Sequence, residues 1–164
     1  MDNHPKRKAI RLIEYDYSQN GAYFVTICTK DGKSLFGRIV NDVGANCVRP
    51  HLSQVGKIVE AEIMQIGKVY NGVSVDCYVV MPNHVHMIIM LQEASDNGRT
   101  QFAPTISRII KQWKGSITKK IGFSPWQKSF HEHIIRNDKS YVKIYEYIEN
   151  NPARWQEDRY YHEI

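Results

Sequence analysis

The chain has 164 residues, 42% of them apolar and 24% charged, the proportions of one soluble domain with its own core. Three scattered cysteines (Cys28, Cys47 and Cys77) exclude a disulfide framework or a cysteine-rich zinc site and read as reduced, buried thiols. No stretch has a signal core or membrane-spanning length, and the net charge of +5 suits a polyanionic partner.

Residues 1–20 form a basic arm with Lys6, Arg7, Lys8 and Arg11, turning amphipathic around Ile10, Leu12 and Ile13. Ala22 to Thr29 is rich in β-branched and aromatic residues and predicts a central strand. A turn at 30–33 leads to a second, shorter strand from Leu35 to Val40, and 41–50 is loop-like. Ser53 can cap a helix with Val55, Ile58, Val59, Ile63, Ile66 and Val69 at helical spacing, ended by Asn71-Gly72. Val73–Val80 and His84–Leu91 predict two strands joined at Met81-Pro82-Asn83, followed by a polar loop over 93–101. A second helix, about Thr105 to Lys120, has an apolar side and a basic side carrying Arg108, Lys111, Lys114 and Lys119. A strand from Ser129 to Arg136 precedes a third helix, about Lys139 to Asn151, which Asp138 can cap and Pro152 stops. This order predicts an α+β fold: a ferredoxin-like antiparallel sheet with helices packed on one face.

His84-Val85-His86 stands inside an apolar strand, and alternation puts both imidazoles on one face. Two polar rings buried together cost free energy unless something binds them. A shared metal ion is one answer; backbone groups or water are the other. His131-Glu132-His133 repeats the spacing and is a rival pair. On the third helix Tyr141, Ile144, Tyr145 and Ile148 make an apolar stripe, whereas Tyr147 and Asn151 share a flank. Tyr147 has polar neighbours and can act as a nucleophile, but Tyr145 with Glu149 is an equally allowed pair.

Four segments together carry a resemblance. They are Tyr23-Phe24-Val25-Thr26-Ile27-Cys28-Thr29, Met81-Pro82-Asn83-His84-Val85-His86, Trp126 to Arg136, and Tyr147-Ile148-Glu149-Asn150-Asn151-Pro152. In this order the chain resembles the single-tyrosine HUH-endonuclease transposases, most closely their REP-associated tyrosine transposase branch. The resemblance implies a catalytic domain over 21–152 with a tail over 153–164. It also implies that His84, His86 and Asn151 hold a divalent ion, Mg2+ or Mn2+, and that Tyr147 is the nucleophile. Imidazole ligands tolerate manganese, zinc or nickel better than magnesium. The implied reaction cuts single-stranded DNA beside imperfect hairpins, forming a 5′-phosphotyrosine and a free 3′-hydroxyl.

Lys6, Arg7, Lys8, Arg11, Arg108, Lys111, Lys114, Lys119 and Arg136 are the expected phosphate contacts. Relatives of this kind are either monomers or dimers that exchange the tyrosine helix, and a bacterial cytoplasmic, nucleoid-associated location follows. The tail, with Trp155, Tyr160 and Tyr161, either packs over the third helix and hinders the site or is simple packing. A hairpin binder that does not cut and a water-using phosphodiesterase are the competing functions.

Overall fold

A computed structural model describes residues 20–40, 48–92 and 104–161. Four strands, β1 (Gly21–Cys28), β4 (Val73–Val80), β5 (His84–Leu91) and β6 (His131–Ile135), form a sheet in the order β4-β5-β1-β6. Every neighbouring pair is antiparallel. With α1 (Gln54–Ile63) between β1 and β4, and α3 (Ile106–Ile121) between β5 and β6, this is the expected ferredoxin-like βαββαβ core.

Alternation along β1 and β5 sorts the core into two layers. Tyr23, Val25, Ile27, Val85, Met87 and Ile89 face α1 and α3, which contribute Val59, Ile63, Ile106, Ile109, Ile110, Trp113 and Ile117. Each fully buried side chain of this size is worth roughly 1.5–3 kcal/mol. Ala22, Phe24, Ile88 and Met90 point the other way, toward α4 (Asp138–Asn150) and its Ile144 and Ile148. The helices therefore do not all pack on one face, as the sequence pattern predicts. The two core helices share a face, and the tyrosine-bearing α4 covers the opposite one. Cover on both sides explains why β5 reads as an almost unbroken apolar run.

The helix starts follow their capping residues. Ser53 accepts the Gly56 amide at 3.1 Å and donates to the Leu35 carbonyl at 2.7 Å. Thr105 accepts the Arg108 amide at 3.3 Å. Asn137, not Asp138, caps α4, its side-chain oxygen accepting the Ser140 amide at 2.8 Å. The helix expected to run from Ser53 to Val69 breaks after Ile63 and resumes as α2 (Ile66–Val69). The strand expected at Leu35–Val40 shortens to β2 (Gly37–Ile39) and pairs with β3 (Pro50–Leu52) in a separate ribbon, since the loop ends by turning back into a strand.

Gly56 lets α1 sit against that ribbon: a β-carbon there would lie 2.0 Å from the Phe36 carbonyl oxygen. Gly56→Ala must push helix and ribbon apart and is expected to cost about 1–3 kcal/mol. Urea unfolding would show it as a lower midpoint at unchanged slope; an unshifted midpoint would mean the contact is looser than described. Among the described residues no helix is long and apolar enough to cross a membrane. Cys28 and Cys77 are buried free thiols, and Cys47 lies outside the described residues.

Candidate active site

Strand register builds the floor of the site. Thr26 and Cys28 of β1 stand opposite His86 and His84 of β5, on the sheet face that α4 covers. Both imidazoles are buried, with 0% and 1% exposure, and their ring centres are 4.5 Å apart. Phe24 stacks on His86 at 5.2 Å.

Each ring is held from behind. Asn83 donates through its side-chain nitrogen to the carbonyls of Gly32 (3.1 Å) and Tyr160 (2.7 Å), which fixes the amide's orientation. Its oxygen must then accept from His84 Nδ1 at 2.8 Å, so His84 carries its proton there and turns the Nε2 lone pair into the site. His86 Nδ1 contacts Thr26 Oγ1 at 2.8 Å, leaving Nε2 directed at Tyr147. Burial keeps both rings neutral. It pulls the pKa of His84 down to about 4, against the opposing pull of the Asp158 carboxylate. It also pushes His86 well below its ordinary value, assisted by neighbouring His84.

Helix α4 delivers the tyrosine. Its Ile148 is buried against the sheet, while Glu149 contacts the Cys77 thiol on the β4 side and Tyr141 donates to Asp76, the extra residue of a bulge in β4. Tyr147, on the other flank, brings its hydroxyl to 3.2 Å from His86 Nε2 and 3.3 Å from the Asp158 carboxylate. Tyr145 points away, 40% exposed near Cys77 and Glu149. Burial and the Asp158 charge push the Tyr147 phenol up to about 12. One turn further, Asn151 is buried and donates to Asp158 at 2.6 Å.

Two buried polar atoms face this space without a hydrogen-bond partner among the described residues: His84 Nε2 and Asn151 Oδ1. Two imidazole nitrogens and an amide oxygen are the donors a divalent cation takes. Residues 153–161 cross over the site. The Tyr160 ring lies 4.7 Å from that of His84, and Trp155 lies 5.9 Å from it. Asn83, Thr26 and Asp158 are the participants that sequence reasoning missed. Asn83 directly precedes the histidines and Thr26 sits in the facing strand, so pairing the two strands exposes both. Asp158 sits in an aperiodic tail and carries no signal.

The basic residues do not converge with this group. Arg108, Lys111 and Lys119 are exposed on α3, across the sheet from Tyr147. Lys114 is spoken for: Nζ donates to the Gln127 and Ser129 carbonyls at 3.0 and 3.2 Å, and burial lowers its pKa to about 8. Arg136 is exposed just before α4, while Lys6, Arg7, Lys8 and Arg11 lie outside the described residues. His131 and His133 project from the edge strand β6 and stay exposed, two strands away from β5.

No protein-family model matches this chain. A Haemophilus influenzae protein known only as uncharacterized is 35% identical over 173 residues, covering 94% of this chain and 93% of that protein. A second H. influenzae protein, provisionally named a REP-associated tyrosine transposase, is 26% identical across 85% of this chain and 74% of its own length. The REP-associated tyrosine transposase of Escherichia coli K12 is 35% identical over 80 residues, which is 49% of this chain and 44% of that one. A solved REP-associated tyrosine transposase bound to a REP hairpin shares the fold, with TM-score 0.63 and 23% identity over 88% of this chain and 74% of that one. The relatives that carry a name are transposases. The named relatives and the solved neighbour are REP-associated tyrosine transposases, to which this chain is similar in sequence and, for the solved one, in fold.

Proposed function

We propose that this protein cuts and rejoins single-stranded DNA beside imperfect hairpins, with Tyr147 as nucleophile and His84, His86 and Asn151 holding a divalent ion, Mg2+ or Mn2+. The observation that carries the reading is the 3.2 Å approach of the Tyr147 hydroxyl to His86 Nε2, beside a second imidazole whose Nε2 is buried and unpartnered.

The Tyr147 oxygen attacks the scissile phosphorus and the bond to the 3′ oxygen breaks. The products are a 5′-phosphotyrosine and a free 3′-hydroxyl. The phenol proton has an acceptor in reach, the Asp158 carboxylate at 3.3 Å, and the departing 3′ oxygen takes up a proton. A second 3′-hydroxyl reverses the step and frees Tyr147, so rejoining needs no outside energy source. The bound ion supplies positive charge against the charge that builds on the phosphate oxygens. Helix α4 and the β5 rings fix the attacking oxygen, which removes much of the entropic cost of meeting the phosphate.

Arg108, Lys111 and Lys119 would hold the DNA backbone on the far side of the domain, and Arg136 near the start of α4. Incubation with end-labelled, hairpin-flanking single-stranded DNA and Mn2+ tests the reading. A protein–DNA adduct that survives denaturant is expected. Cleaved ends without an adduct would point to water as nucleophile, and binding without cleavage to a recognition protein alone.

A further inference from the structure

Asp158 enters the site from a part of the chain with no helical or strand pattern. The turn at 155–157 ends with the Asp158 amide donating to the Trp155 carbonyl at 3.1 Å. Its carboxylate then reaches three donors: the Asn151 side-chain amide (2.6 Å), the Tyr147 hydroxyl (3.3 Å) and the Tyr160 backbone amide (2.7 Å). Asn83 pins the same segment through the Tyr160 carbonyl. Ligand atoms of His84, His86 and Asp158 all lie within 4.8 Å of one another.

A carboxylate in this position calls for a positive partner. The neighbouring Arg159 guanidinium stacks 4.5 Å over the Tyr160 ring and donates to its hydroxyl. The other donors, two imidazoles and an amide, are all neutral. Hard divalent cations of the Mg2+ and Mn2+ kind favour anionic oxygen ligands. We infer that Asp158 is a further ligand of the cation, so that the tail brings a negative charge to a metal site whose other donors are neutral. This rests on the reading above that His84 and His86 hold a divalent ion. Both carboxylate oxygens keep lone pairs beyond their present hydrogen bonds, so ligation does not require those bonds to break.

Titrating Mn2+ into the full chain by calorimetry, without DNA, tests it. Asp158→Asn keeps the size and an accepting oxygen but removes the charge, and is expected to weaken Mn2+ binding tenfold or more. Glu157→Gln, an equal loss of charge on the exposed neighbour, should stay within twofold of the native protein. Asp158→Ser gives the same readout if the asparagine variant fails to fold. If His84→Ala loses Mn2+ while Asp158→Asn binds like the native chain, the inference falls and the histidine site stands. If His84→Ala also binds normally, both fall.

Discussion

Tyr147→Phe is expected to abolish the denaturant-stable DNA adduct and to slow strand cleavage by at least about a thousandfold, equivalent to roughly 4 kcal/mol of transition-state stabilisation. DNA binding should be unchanged, because the ring and its edge-on contact with Phe24, at 6.1 Å between centres, survive the loss of the hydroxyl. The matched control is Tyr145→Phe. Tyr145 lies two residues away but on the opposite flank of α4, beside Cys77 and Glu149, and its loss should leave the adduct intact. Gel electrophoresis under denaturing conditions separates these outcomes. An adduct from the phenylalanine variant, or its disappearance with Tyr145→Phe, would transfer the chemistry to another hydroxyl. The phenol is held up to about 12 by burial and by the Asp158 carboxylate, so the phenolate is scarce near neutrality. Below that value its share grows tenfold per pH unit, and nearby positive charge enlarges it further.

The buried imidazole pair should make the fold sensitive to acid. Burial lowers the folded-state pKa of His84 from the ordinary 6.5 to about 4, and that of His86 moves the same way. A group with a depressed folded pKa contributes its full stability above the unfolded value and loses it as pH falls toward the folded one. For His84 the loss therefore begins near pH 6.5 and is largely complete near pH 4. Between pH 7 and pH 5, His84 alone accounts for about 2 kcal/mol, and His86 adds to it. Urea unfolding at the two values should show a clearly lower midpoint at pH 5. A flat profile would mean that the rings already reach water in the folded state.

Strand and helix periodicity made the sheet core readable from the chain. Val73–Val80 and His84–Leu91 match their observed ends because apolar runs of β-branched residues are cut short by Gly72 and by Pro82-Asn83. The shared face of His84 and His86 follows from alternation alone. Periodicity has no means of showing on which side of a sheet a helix lies, and this is why α4 appeared grouped with α1 and α3. Its stripe of Tyr141, Ile144, Tyr145 and Ile148 is only partly core, with Ile148 alone fully buried. The choice between Tyr147 and Tyr145 was likewise beyond spacing. It depends on which flank of α4 meets β5, a property of the tertiary packing. Asp158 illustrates the remaining gap, since a carboxylate in an irregular tail acquires meaning only from what lies beneath it.

Only Arg136 and Asn137 separate β6 from α4, and Asn137 is already committed as the cap. So short a tether gives the helix almost no slack. Short of turning on the backbone of those two residues, the strand and the phenol-bearing rod shift together about the five-residue seam between β6 and β1. A swing of Tyr147 larger than those two residues allow has to unzip that seam or melt the first turn of the helix.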